Sequence, residues 1–226
     1  MPTVLITGAN RGIGLEFAKQ YAAEGWRVHA ACRDPDMASA LKAIKGDIRL
    51  HRLEVTDEAQ IDALAKSLGS ESLDIVINNA GIIGPDDSFG KTDVEGWMQT
   101  LRVNAVAPVR IAERLVANLE RGERKLLVNI TSRMGSIADN SSGGSYAYRT
   151  SKAALNMAAK SLSLDLKRKG ITVVVFHPGW AKTDMGGRSA TVPVADSVGG
   201  MRAKIAALTA ADSGQFFNYN GQPVPW

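Results

Sequence analysis

Cysteine is almost missing from this chain. Its 226 residues hold one, Cys32, which rules out an internal disulfide and any metal site built on cysteines. Histidine is nearly as rare, with three, and no His, Asp or Glu residues cluster at metal-ligand spacing, so no metal is expected. No apolar run is long enough to cross a bilayer. The start "MPTVLITGAN" has neither the basic opening nor the apolar length of a secretory signal. No membrane partner and a cytoplasmic location are therefore expected. Low-complexity tracts and internal repeats are absent as well.

Strong charge of one sign is also missing. Lys and Arg total 27 against 23 Asp and Glu, for a net charge of +4. Arg121–Lys125 and Lys167–Lys169 are basic, but no aromatic residues interleave with them. Solvated helix ends are expected there, with no nucleic-acid surface. Lys167, Arg168 and Lys169 stand directly before Gly170, where cations suit a helix C-terminus.

What is present is an alternation. Strand-like apolar runs fall at Val4–Ile6, Arg27–Ala31, Ile48–Val55, Leu73–Ile77, Leu126–Ile130 and Ile171–Phe176. Helical patterns separate them at Ile13–Glu24, Asp57–Leu68, Asp93–Leu119 and Tyr148–Lys169, with a weaker one at Asp36–Ile44. Asp57 with Gln60 reads as a capping box. A last helix near Ala195–Leu208 and a short strand at Gln215–Asn218 complete the set. Such alternation implies βαβ units joined by right-handed crossovers. The expected fold is α/β, a single-domain doubly wound (Rossmann-type) parallel sheet of about seven strands flanked by helices, over residues 1–226. Ligands of such sheets bind beyond the carboxyl ends of the strands.

After the first strand comes "TGANRGIG". Gly8, Gly12 and Gly14 lie between strand and helix, where glycine permits a tight turn and lets a pyrophosphate approach the helix N-terminus. The spacing is not the general G-x-G-x-x-G, because Phe17 stands where a third glycine would fall. At the end of the second strand, "VHAACRDP" places Cys32 where an acidic residue would otherwise bind a ribose 2′-hydroxyl. Arg33 is next to it, and the absence of a carboxylate favours a 2′-phosphate. Asp34 offers the alternative of a plain surface ion pair.

The stretch "SGGSYAYRTSKAALN" holds two tyrosines before one lysine. Residues four apart share a helix face, about 5–6 Å apart at Cβ, so Tyr148 pairs with Lys152 and Tyr146 falls off that face. The stripe continues through Leu155, Ala159, Leu162 and Leu166. A phenol titrates near pH ~10, and a nearby cation favours the phenolate, so Lys152 is expected to lower the pKa of Tyr148. Ser132 ends the strand "LLVNI" and can polarise a carbonyl. Asn104 stands near Pro108 in "LRVNAVAPV".

Taken together, T-G-x-x-x-G-x-G, "NNAG" at Asn78–Gly81, Asn104, Ser132, Y-x-x-x-K at Tyr148–Lys152 and "PGWAKT" at Pro178–Thr183 resemble the short-chain dehydrogenase/reductase family. "HPGWAKTDMGG" and "GQFFNYNGQPVPW" resemble its carbonyl-reductase branch, with the C-factor and sniffer proteins. The resemblance implies an NADP(H)-dependent oxidoreductase, with NADP(H) expected over NAD(H), acting on a small-molecule carbonyl or alcohol substrate. It makes Asn104, Ser132, Tyr148 and Lys152 the catalytic set. Tyr148 moves the proton, Lys152 tunes it and holds the nicotinamide ribose, and Asn104 supports a water-linked relay.

It also assigns the cofactor to Gly8, Asn10, Arg11, Gly12, Ile13, Gly14, Arg33, Glu54, Val55, Asn79, Ala80, Gly81, Tyr148, Lys152, Pro178, Gly179 and Thr183. Arg11 would share the 2′-phosphate with Arg33, and Thr183 would bond the carboxamide. Relatives pair helices from the Asp93–Leu119 and Tyr148–Lys169 regions, so a homodimer or homotetramer is expected. The alternative reading is an NADP(H)-binding sensor or intercellular signalling protein with little turnover.

Two departures bear on the substrate. The loop before Tyr148, "IADNSSGGSY", runs a few residues longer than the family's usual one. The segment "DMGGRSATVP" is short, which implies an open cleft with Met134, Trp180 and Met185 along it. Phe89, Trp97 and Trp226 are expected in core or interface, and His177 as a hydrogen-bonded strand-end histidine.

Overall fold

The largely apolar character of the central runs follows from burial on both faces. A computed structural model describes residues 1–226. Its strands are β1 (Thr3–Thr7), β2 (Arg27–Cys32), β3 (Ile48–Arg52), β4 (Ile75–Asn78), β5 (Leu126–Ile130), β6 (Thr172–His177) and β7 (Phe216–Asn218). They form one parallel sheet in the order β3-β2-β1-β4-β5-β6-β7. Every residue of β1, β4 and β5 is buried, as expected of strands covered by helices on both sides. The edge strand β3 is only partly covered and carries Arg49 and Arg52, charges that discourage further strand pairing.

The helices are α1 (Gly12–Ala23), α2 (Ser39–Lys42), α3 (Glu58–Leu68), α4 (Val94–Leu101), α5 (Ala107–Arg121), α6 (Tyr146–Asp165) and α7 (Val194–Ala207). Alternate residues of each strand face opposite layers. Val4, Ile6 and Phe176 join Phe17 of α1 and Met201 of α7 on one side. Leu5, Val76 and Leu127 join Leu64 of α3 and Ile111 of α5 on the other. The strand order reverses between β1 and β4, which opens a crevice at their carboxyl ends.

Three sequence expectations need correction. The run expected as one helix over Asp93–Leu119 is α4 and α5 joined by a π-helical turn at Arg102–Val106. Pro108 has no N–H to give to the carbonyl four residues back, that of Asn104, and the helix widens there. The capping box at Asp57 is half formed. Its carboxylate accepts from the Ala59 and Gln60 amides, but Gln60 Oε1 accepts from the Glu54 amide at 2.8 Å. Phe89 is not in the core, with 91% of its surface exposed. The basic run at Lys167–Lys169 does end a helix, in a 3-10 turn closed by Gly170 at φ +70°. No helix is long and apolar enough to cross a membrane.

Candidate active site

A cleft of about 340 Å³ lies over the carboxyl ends of β1, β2, β4 and β5. Its floor is the turn from β1 into α1. Gly8 and Gly12 adopt φ +64° and +54°, which L side chains rarely do. Gly14 meets a tighter limit, since a Cβ there would lie 2.3 Å from the Gly8 oxygen and 2.5 Å from Asn79 Nδ2. No side chain caps α1, so its first amides face the cleft with the positive helix end behind them. That suits a pyrophosphate.

The "NNAG" segment is locked to this turn by cross-strand hydrogen bonds. Asn79 Nδ2 donates to the oxygens of Thr7 at 2.9 Å and Gly8 at 3.1 Å. Thr7 Oγ1 accepts from the Asn79 and Ala80 amides, both at 3.1 Å. These bonds tie the glycine loop to the end of β4.

Most of the expected cofactor residues line this cleft: Gly8, Asn10, Arg11, Gly12, Ile13, Arg33, Glu54, Val55, Asn79, Ala80, Gly81, Tyr148, Lys152, Pro178 and Thr183. Gly14 lies behind the loop as a packing position. Gly179, at φ +74°, faces Tyr219 and Val192, so it shapes the turn and does not line the cleft. Asp34 turns to Arg52 at 3.7 Å, leaving Arg33 without an ion pair at the rim. Arg11 instead pairs with Asp184 at 3.3 Å, both side chains largely exposed. The two guanidiniums expected to converge are thus differently engaged.

At the other end of the cleft stand Tyr148 and Lys152, with the Ser132 hydroxyl beside the phenol. Ser132 lies two residues beyond β5, and its Oγ accepts from the Met134 amide at 3.1 Å. Tyr148 and Lys152 are one turn apart in α6, with Lys152 Nζ 5.8 Å from the Tyr148 ring centroid. Lys152 is 5% exposed, and its Nζ donates to the Ile130 oxygen at 3.0 Å. Burial lowers its pKa to about 8. Burial pushes the Tyr148 phenol above its ordinary value, opposed by the Ser132 hydroxyl beside it. The depression expected from Lys152 is absent, for a physical reason. A lysine titrating near 8 is already neutral at the pH where a buried phenol ionises.

Asn104 sits in the π-helical turn, behind Gly81. Its Oδ1 accepts from the Ile82 amide at 2.9 Å, and its Nδ2 donates to the Ile82 oxygen and to Ser151 Oγ. It fastens the segment after β4 to the helix carrying Tyr148. Tyr146 packs its ring on Trp97, 6.1 Å between centroids, as a packing residue should. Met185 lines the cleft. Trp180 is half exposed and donates to the Gly186 oxygen, and Met134 is not part of the cleft wall. His177 departs from expectation, because its buried Nδ1 has no hydrogen-bond partner, and burial lowers its pKa to about 4.

Sequence reading missed Leu53, Ile82, Gln99, Val103, Thr131 and Asp184 in the cleft wall. Leu53 and Thr131 directly follow strands and were findable from position. Gln99 and Val103 depend on how α4 and the π-helical turn lie across β4.

Comparison with known proteins agrees with this geometry. The short chain dehydrogenase family model matches residues 2–192. The chain is 45% identical to C-signal of Myxococcus xanthus over 164 residues, 73% of this chain and 99% of that protein. It is 32% identical to 1-hydroxy-2-glutathionyl-2-methyl-3-butene dehydrogenase of Rhodococcus sp. (strain AD45), covering 100% of both. The carbonyl reductase Sniffer of D. melanogaster superposes with a TM-score of 0.95 at 34% identity, over 100% of both chains. The NADPH-bound carbonyl reductase from chicken fatty liver gives 0.93 at 35%, over 100% of this chain and 99% of that one. With the family model matched over residues 2–192 and the fold shared along nearly its whole length, the chain belongs to the short chain dehydrogenase family.

Proposed function

We propose that the protein is an NADPH-dependent carbonyl reductase, acting on a ketone, aldehyde or quinone. The observation that carries this reading is a half-buried Tyr148 one helical turn from a buried Lys152, at the end of a cleft shaped for a dinucleotide. The carbonyl reductases that share this fold, one of them NADPH-bound, support it, and so does Arg33, free of any carboxylate at the 2′-phosphate side.

Bound NADPH supplies the hydride. The glycine loop and the open start of α1 hold its pyrophosphate, and Arg33 its 2′-phosphate. Ser132 donates a hydrogen bond to the substrate oxygen and fixes its direction. Tyr148, whose phenol burial keeps protonated at neutral pH, gives its proton to that oxygen as the alkoxide forms. Lys152 is then still mostly charged. Its charge, 5.8 Å from the ring centroid, favours the new phenolate. Asn104 positions Ile82 and Ser151 and does not itself meet the substrate.

The 45% identity to C-signal favours one second reading, a cofactor-binding signal protein with little turnover. Following NADPH absorbance with a panel of ketones, aldehydes and quinones separates the two. Turnover by the wild type, reduced about 100-fold or more in Tyr148→Phe with NADPH affinity kept, is the expected result. Equal rates in the variant would overturn the role of Tyr148. Tight NADPH binding without any turnover would favour the signal reading.

A further inference from the structure

α6 carries both Tyr148 and Lys152, yet its own N-cap residue, Ser145, makes no capping bond. The chain enters the helix through three consecutive left-handed residues, Gly143 at φ +64°, Gly144 at +65° and Ser145 at +48°. The two glycines adopt this readily, whereas Ser145 is strained. These residues belong to the lengthened loop before Tyr148.

The grip on this entry comes from 60 residues away in the chain. Asp87, on the loop between β4 and α4, is 4% exposed. Its Oδ2 accepts from the Ala147 amide at 2.8 Å, and its main-chain oxygen accepts from the Ser145 amide at 3.2 Å. Its Oδ1 is buried with no donor, so the side chain is committed to the one bond at the helix start. Ala147 immediately precedes Tyr148, and one residue is about 1.5 Å along a helix axis. A slip of the first turn would move the phenol relative to Ser132 by that order.

We propose that Asp87 is a positioning residue for proton transfer, acting through the Ala147 and Ser145 amides to set where Tyr148 stands. The inference rests on the reductase reading for its kinetic consequence. It also assigns a role to the lengthened loop: its strained entry is held in place by Asp87, and the catalytic tyrosine is the residue that feels it.

The test compares Asp87→Ala with Asp87→Asn, which keeps an acceptor, and with Asp57→Ala, a helix cap on α3 that does not itself line the cleft. Expected for Asp87→Ala is a fall in kcat of about tenfold or more, since an ångström of misplacement can cost that much, with NADPH affinity within about twofold. The Ala147 and Tyr148 amides should exchange hydrogen faster while the middle of α6 stays protected. Asp87→Asn should restore both, and Asp57→Ala should lose stability but keep kcat. If Asp87→Ala fails to fold, Asp87→Ser, with a shorter acceptor, replaces it in the same comparison.

Faster exchange with an unchanged kcat would overturn the proposal, as would an equal loss of kcat in Asp57→Ala. Should the wild type turn over no carbonyl, the reductase reading fails separately. Asp87 is then judged by ultraviolet titration of the Tyr148 phenol, with Tyr148→Phe subtracted. A pKa shifted in Asp87→Ala and normal in Asp87→Asn supports it, and an unshifted one overturns it.

Discussion

Lys152→Met tests the cost of keeping a cation buried beside Tyr148. Methionine has similar length and no charge, so the substitution removes chiefly the ammonium group. In the folded chain Lys152 titrates near 8, against an ordinary lysine value of about 10.4. The folded value is the lower one, so below about pH 8 the folded state must hold a proton on a desolvated amine. That penalty is fully present at neutral pH and is relieved as pH rises from about 8 toward about 10.4.

A tenfold change in proton affinity corresponds to about 1.4 kcal/mol, so the penalty is about 3 kcal/mol near pH 7 and on the order of 1 kcal/mol near pH 9.5. Against it stands the Ile130 carbonyl, which loses the donor it now has at 3.0 Å, a loss of about 1–3 kcal/mol. The absolute stability difference is therefore small. Its change with pH is the decisive quantity, because every other titration is common to both proteins.

Urea melts of wild type and Lys152→Met near pH 7 and pH 9.5 measure it. Wild type should gain about 2 kcal/mol on the variant between the two, while the variant turns over no carbonyl at either. A difference that stays constant with pH would refute the claim that Lys152 is a desolvated cation. It would also remove the reason given for the absence of any Lys152 depression of the Tyr148 phenol.

Other consequences follow from the same geometry. Gly14→Ala gains about 1 kcal/mol of helix propensity but drives a Cβ into the Gly8 carbonyl and the Asn79 amide, where overpacking costs about 1–3 kcal/mol or more. Gly12→Ala meets only Thr183 Cγ2 at 3.2 Å and bears left-handed strain of about 1–2 kcal/mol. Thermal melts and NADPH titrations should therefore rank Gly14→Ala as the more damaged in both, and the opposite ranking would contradict the cradle. Arg33→Ala should weaken NADPH binding about tenfold and leave NADH within about twofold, since a charged hydrogen bond contributes about 1.5–3 kcal/mol. Equal losses for both cofactors, read by fluorescence titration, would remove Arg33 from the 2′-phosphate.

Acid stability has its own source. His29 Nδ1 and His51 Nε2 share a hydrogen bond at 2.9 Å, and burial lowers the pKa of His51 to about 4. With the folded value below the unfolded one, stability is full above about pH 6.5 and falls as pH drops toward 4, by on the order of 2 kcal/mol after allowance for the part-exposed ring. His51→Leu should flatten that slope in urea melts between about pH 7 and pH 5, and an unchanged slope would place the acid sensitivity elsewhere.

The sequence by itself determined whatever depends on neighbours in the chain. Val4–Ile6 reads as a buried strand because three adjacent apolar residues need cover on both faces. "TGANRGIG" reads as a phosphate turn because glycines at those positions permit it. Tyr148 is separated from Tyr146 by the helical period alone, counted back from Lys152. The tertiary structure decided what distant residues do to one another. Lys152 titrates near 8 because β5 and α6 close around it, and desolvation of the Tyr148 phenol reversed the direction expected there. Arg11 and Arg33 looked alike in sequence, but Asp184 takes one while Arg52 draws Asp34 away from the other. The cap on α6 by Asp87 depends on a chain crossing that no local pattern records. Burial, electrostatic partnership and long-range hydrogen bonds exist only once the strands are ordered, and those set the chemistry of the site.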